Sequence, residues 1–279
     1  MIQLGIRLHD VPGDTLAKRV DKAVGQGFSC AHLALSKAVQ EFSTANSALT
    51  PGLAMWMRRL FAERGMDIAV LGCYKNLAHP EPDKLREIQR TYEAHLLFAS
   101  LLGCGMVGTE TGAPNGDYAY EPACHTSEAL LRFMRGLAPV LEMAERLGVI
   151  IALEPVWTHI VWNPRLAHTV LRQMESPNLK IILDPVNLLS AENYEQREDV
   201  FAEAIDLLGE DVAEVHLKDF RPQGSELLQL APGEGIMDYR SIMSFLKHDK
   251  PYIQATLENT VPENAVRALQ AMQRAYDEA

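Results

Sequence analysis

Four strand-like segments in the second half of the chain each end in a side chain able to bind a metal. They are ALEPV with Glu154, IILDP with Asp184, AEVHLKD with His216 and ATLEN with Glu258. Each follows an apolar or β-branched run, so each belongs at a strand's carboxyl end. The spacings are about 30 to 42 residues, the length of a βα unit. Side chains at successive strand ends converge if the strands are neighbours in a parallel barrel, and the C-terminal face of such a barrel carries its chemistry. Three carboxylates and one imidazole suit one divalent ion: Mn²⁺, Mg²⁺, Co²⁺ or Zn²⁺. The competing reading is a buried salt-bridge network with nearby cations such as Lys218.

The elements that must position them repeat along the chain. Strand patterns fall at 2–8, 30–35, 67–73, 105–110, 149–154, 179–184, 212–218 and 252–258. Between them lie segments with apolar residues at three-to-four spacing, the mark of helices packed on a sheet. Asp14 reads as the N-cap of the first helix. Thr50 and Pro51 read as cap and first helical residue of another. The strands are near-continuous apolar runs, as in a parallel sheet covered by helices. Eight such repeats without a composition break predict one (β/α)₈ barrel over residues 1–279. A doubly wound sheet binding a dinucleotide would carry a Gly-rich loop after its first strand, and RLHDVPGD has none.

Long segments follow the strands, and short ones precede them. YKNLAHPEP, TGAPNGDYAYEPACH, PVWTHIVW and DFRPQGSELLQLAPGEGIM supply the aromatic, His and Gly residues a pocket needs, on the rim already singled out.

Composition narrows the function. A formal net charge of −11 argues against gripping nucleic-acid phosphates. There is no stretch of about 18 apolar residues for a membrane span. The N-terminus has no basic segment ahead of a long apolar run, so no signal peptide is expected. Cys30, Cys73, Cys104 and Cys124 form no CxxC pair and read as buried free thiols in a reducing cytosol. The expected location is cytoplasmic. A homo-oligomer is compatible with the sequence.

Taken in order, Glu154, Asp184 with Asn187 in DPVNLL, His216 with Lys218 and Asp219 in HLKD, PGEG at 232–235 and Glu258 resemble the xylose-isomerase-like TIM barrels, the sugar-phosphate isomerases and epimerases. The resemblance covers essentially the whole chain. It implies that Glu154, Asp184, His216 and Glu258 bind one divalent metal. It also implies that Glu154 and Glu258 are the acid–base pair exchanging a proton beside a carbonyl. The partner implied is a small sugar or sugar phosphate. In ketose 3-epimerases of the psicose and tagatose type the metal-binding His lies two positions further on, where this chain has Lys218. Their substrate-binding His corresponds to Asn187. The pattern here is closer to the pentulose-phosphate 3-epimerases.

Further expected substrate contacts are His159 in the fifth loop, His79 in the third, Glu110 at the end of the fourth strand, Asn187, Lys218 and Trp157. Trp162 is expected to wall the pocket together with Trp157, His9 ends the first strand on the same rim, and His32 reads as a core residue. Arg221 and Lys75 are further cations expected on that rim. Two other classes share the scaffold. A lyase acting on a polyol ketone such as an inosose also begins with an enolate. An apurinic-site endonuclease would need more His ligands and a basic groove.

Overall fold

The computed structural model describes residues 1–279. Eight strands close into a parallel barrel. They are β1 (Gln3–Arg7), β2 (Cys30–Leu33), β3 (Asp67–Gly72), β4 (Met106–Glu110), β5 (Ile150–Glu154), β6 (Leu179–Leu183), β7 (Val212–Leu217) and β10 (Gln254–Leu257). The order is β1-β10-β7-β6-β5-β4-β3-β2, with β1 pairing β2 on its other side. The register Gln3↔Gln254 to Ile6↔Leu257 seals the barrel between the first and last strands. All eight expected strands form, each within a few residues of its expected limits.

Helices α1 (Leu16–Gly25), α3 (Pro51–Ala62), α4 (Pro82–Leu102), α5 (Ser127–Leu147), α6 (Pro164–Met174), α7 (Arg197–Leu208), α8 (Arg240–Asp249) and α9 (Ala265–Glu278) surround the barrel. A single turn, α2 (Leu35–Ala38), follows β2. The main core lies between helices and sheet. Phe61, Phe98, Phe133 and Phe201 are almost fully buried there; each such side chain contributes about 1.5–3 kcal/mol by leaving water. Inside the barrel, Val70, Met106, Ala152 and Ile182 fill the lower layer. Gly108 is small by necessity, because a Cβ there would meet Val70 and Ile182. This packed layer closes the barrel beneath the upper rim.

Thr50 caps α3 by accepting the Leu53 N–H at 3.2 Å, with Pro51 in the first turn, as expected. The first helix differs. Thr15, not Asp14, is its N-cap, while exposed Asp14 pairs with Lys18 at 2.8 Å. Thr15 has the extended backbone a cap requires, and its hydroxyl accepts the Lys18 N–H.

The segment after β7 is a second difference. The expected loop contains an antiparallel hairpin, β8 (Asp219–Gln223) and β9 (Glu226–Leu230). Gly224, at φ +64°, begins its two-residue turn, a conformation open to glycine at little cost. No helix is long and apolar enough to cross a membrane.

Candidate active site

Successive side chains of a strand point to opposite faces. This sends Glu214 and His216 of β7, and Lys218 just past its end, into the barrel, one above another. Glu214 lies deepest and accepts the Thr256 hydroxyl at 2.5 Å. His216 sits above it with no exposed surface. Its Nδ1 is 3.2 Å from Glu154 Oε1 and 3.3 Å from Glu258 Oε1. The His32 ring stacks on it at 5.3 Å.

Lys218 stands at the top. Its Nζ lies 2.8 Å from Asp184 Oδ2 and donates to Glu258 Oε2 at 3.1 Å. The Asp184 contact is an ion pair by distance but too poorly aligned for a hydrogen bond, which leaves Asp184 Oδ2 without one. Asp184 Oδ1 accepts the backbone N–H groups of Val186 and Asn187 at 2.9 and 3.1 Å. Asn187 donates from Nδ2 to Glu154 Oε1 at 2.7 Å. From β1, Arg7 Nη1 reaches within 3.4 Å of Glu258 Oε2.

These contacts set the charges. Burial alone would raise the Glu258 carboxyl, but Lys218, His216 and Arg7 outweigh it and hold Glu258 well below the usual carboxylate range. Burial would lower His216, but the charges of Glu154 and Glu258 raise it to about 10; its Nδ1 hydrogen-bonds Glu154 and lies at ion-pair distance from Glu258. Burial pushes Asp184 up to about 6 against the pull of Lys218. Lys218 is opposed by burial and still raised above its ordinary value by Asp184 and Glu258.

Across the mouth, Glu110 pairs in register with Glu154. Burial, then the Glu154 charge, push it up to about 7, although Tyr118 donates a hydrogen bond to it at 3.0 Å. His159 Nδ1 is 3.8 Å from Glu110, and burial lowers its pKa to about 4. It is neutral in the neutral range.

A cavity of about 310 Å³ opens above the cluster, lined by Glu154, Glu258, Lys218, Arg7, Glu110, His159 and Asn187 among others. Asp184 and His216 stand behind its wall. An adjoining cavity of about 380 Å³ shares Val156, Thr158, Asn187 and Gln229 with it and adds Trp157, Tyr120 and Leu227. The hairpin supplies Gln229, whose Nε2 donates to Asn187 Oδ1 at 3.3 Å. Asp219 anchors this roof by accepting the N–H groups of Phe220, Gly233 and Met237 at 2.8, 3.1 and 2.8 Å.

The four expected ligand residues thus converge, with Lys218, Glu110, His159 and Asn187 around them. Trp157 faces the adjoining cavity and packs against Trp162 at 4.9 Å. His79 is a correction: it lies outside both cavities, in a groove against α5. Its Nδ1 accepts the Glu81 N–H just before α4, so the ring is turned toward the helix start. Lys75 and Arg221 are exposed and line neither cavity. His32, expected in the core, is buried but also lines the cavity. Arg7, Tyr74 and Gln229 line it too and were not anticipated. Arg7 carried a signal, being a basic residue at the end of an apolar strand.

Two sets of ligand-type atoms lie within 4.8 Å of one another: Glu154, Asp184 and His216, and His32, His216 and Glu258. The donor types suit a divalent ion. Their arrangement does not fit one as folded. Lys218 Nζ makes the contacts that an ion would make to Asp184 Oδ2 and Glu258 Oε2, and His216 Nδ1 faces the Oε1 atoms of Glu154 and Glu258.

The sequence pattern of the xylose isomerase-like TIM barrel family matches residues 20–276. No curated protein matches the chain. Among solved structures it is similar to a D-tagatose 3-epimerase-like protein, at TM-score 0.76 and 18% identity over 99% of this chain and 97% of that one. It is also similar to D-psicose 3-epimerase solved in the presence of D-fructose, at 0.74 and 16% over 98% and 99%. The IolI protein with a bound zinc atom matches at 0.70 and 16% over 99% and 97%. At these identities the solved structures speak for the fold, and the family assignment rests on the sequence pattern. The chain belongs to the xylose isomerase-like TIM barrel family.

Proposed function

We propose that the protein is an enzyme that moves a proton on the carbon beside a carbonyl of a small polyhydroxylated substrate, a sugar or sugar phosphate, and so epimerises or isomerises it. The observation that carries this reading is the pairing of Glu154 and Glu258 on one polar cavity, with the Lys218 ammonium beside Glu258 on the same cavity. One carboxylate takes the carbon-bound proton. The electrons of that bond form the enediol double bond, and the carbonyl pair moves onto oxygen. A proton returned on the opposite face gives the epimer; one returned to the neighbouring carbon gives the isomer. The developing oxyanion needs a positive neighbour.

Glu258 is held in its ionised form by Lys218, His216 and Arg7. Glu110, poised near neutrality beside Glu154, can hold or supply a proton. Asn187, His159 and Gln229 are placed to hydrogen-bond substrate hydroxyls, and Trp157 borders the outer cavity, where a larger substituent would extend. The related epimerases of similar fold support a sugar as the substrate class.

A second reading of the cation is a divalent ion held by Glu154, Asp184, His216 and Glu258. The donor types favour it, and it requires Lys218 to leave the cluster. Loss of a hydroxyl from the same enediolate would make the enzyme a dehydratase, and product analysis separates the two outcomes.

The test is proton NMR in D₂O with a panel of ketoses and ketose phosphates. Deuterium is expected at the carbon next to the carbonyl of at least one member, at a rate proportional to enzyme. If no polyhydroxylated carbonyl compound exchanges, the proposal fails.

A further inference from the structure

We propose that the Lys218 ammonium is the resident cation of this site, standing where a divalent ion would otherwise act and donating hydrogen bonds to the carbonyl oxygen as it becomes an enediolate oxygen. The catalytic part of this proposal rests on the proton-transfer reading above; the part concerning the cation does not.

The argument begins with the strand. With His216 directed into the barrel, the residue two positions on is directed there as well. Lys218, the first residue past β7, continues that inward course. Its carbonyl is tied by the Tyr239 hydroxyl at 3.0 Å, and its side chain is only 3% exposed. A buried ammonium must be paired, and here it is, at 2.8 Å to Asp184 and 3.1 Å to Glu258.

Charge points the same way. Glu154, Asp184 and Glu258 bring three negative charges. Lys218 and Arg7, 3.4 Å from Glu258, return two, and the His216 ring bridges Glu154 and Glu258. A divalent ion added among them would lie against a fixed ammonium and compete for oxygens already taken. Such an ion gains most where carboxylates lack other cations.

Lys218 also lines the cavity, whereas Asp184 and His216 do not, so it is the cation a substrate oxygen meets. The step it assists balances without further reagents. The carbon-bound proton passes to a carboxylate, the electron pair moves through carbon to oxygen, and Nζ keeps all its protons and forms no covalent bond.

The experiment uses the full chain. Elemental analysis of purified protein, calorimetric titration with MnCl₂, and deuterium exchange before and after dialysis against EDTA are compared for wild type and Lys218→Gln. Wild type is expected to carry substoichiometric metal, to show no Mn²⁺ binding up to about 1 mM, and to keep its exchange rate through EDTA. Lys218→Gln, which removes the competing cation, is expected to bind Mn²⁺ at least about tenfold more tightly than wild type. Without added metal it should lose exchange by about 10²–10³-fold, the cost of one oxyanion donor.

About one ion per wild-type chain, Mn²⁺ binding by wild type as tight as by the variant, or loss of exchange in EDTA would each overturn the proposal. If Lys218→Gln does not fold, the three wild-type measurements decide alone. If no substrate exchanges deuterium at all, the proton-transfer reading falls, while metal content and Mn²⁺ titration still rule on Lys218.

Discussion

Glu154 and Glu258 are matched in the reaction proposed for them and unequal in what surrounds them. Glu154 Oε1 faces Asn187 and His216, whereas Glu258 faces Lys218, Arg7 and His216. Replacing either with Gln keeps the shape and removes a basic oxygen. Both variants should lose deuterium exchange by about 10²–10⁴-fold, as for a general acid–base group. Stability should separate them. Glu258→Gln strips an anionic partner from several buried cations at once, a loss of about 3–5 kcal/mol when a buried pair is broken, and Glu154→Gln strips one from His216 alone. Thermal unfolding of the two variants checks this. An equal or smaller fall in midpoint for Glu258→Gln would mean that the cations do not depend on Glu258. Full exchange in both variants would place the acid–base pair elsewhere.

The hairpin β8–β9 contributes no charge to the cluster, but it carries Gln229 over it and hangs from Asp219. The Asp219 carboxylate accepts three backbone N–H groups, and an unsatisfied buried donor costs about 1–3 kcal/mol. Gly235 is compelled here, since a Cβ would run into the Phe220 carbonyl and the Asp219 carboxylate. Asp219→Ala should therefore free the roof while the barrel stays folded. Limited proteolysis should cut faster within residues 219–237, and KM should rise more than kcat falls. Unchanged cleavage and KM would leave Asp219 no positioning role. This element was also the least legible in the sequence. A parallel strand buried on both faces announces itself as an apolar run, which is why all eight barrel strands could be read. The hairpin strands DFRPQ and ELLQL mix exposed and half-buried positions, and Pro222 breaks the first; only the Gly224–Ser225 pair pointed to a turn. The convergence of Glu154, Asp184, His216 and Glu258 was legible from strand ends. The inward course of Lys218 was legible too, because strand alternation that turns His216 inward turns Lys218 inward with it. What strand order alone did not reveal was that Arg7 and His32 complete the cluster, since each is contributed by a strand whose other residues resemble ordinary core. His79 went astray for the opposite reason: a residue several positions beyond a strand is placed by its loop.

The barrel encloses its ionisable groups so completely that the pH dependence of the whole fold should report on them. His216 is raised from 6.5 to about 10. A folded-state pKa above the unfolded one means stability that is fully present below about 6.5 and lost as pH rises through about 10. Glu214 is raised from 4.5 to about 7 by burial, against the pull of His216, and Asp184 to about 6. The native state therefore holds their protons longer than the unfolded chain does, so stability also falls as pH rises from about 4.5 through about 7. Glu258 runs the other way: its depressed pKa contributes stability above its ordinary value that is lost in acid. Together these place the most stable condition on the acid side of neutrality and a decline on the alkaline side, at most about 1.4 kcal/mol per pH unit for each proton released. Thermal midpoints measured from pH 5 to 10 should fall toward pH 10. His216→Gln should lower the midpoint at pH 6 and flatten the decline between pH 7 and 10, because the titrating group between Glu154 and Glu258 is then absent. A wild-type midpoint that is level across pH 6 to 10 would mean that His216 is not the protonated bridge between those carboxylates. The floor beneath Lys218 would then have to be held by uncharged contacts.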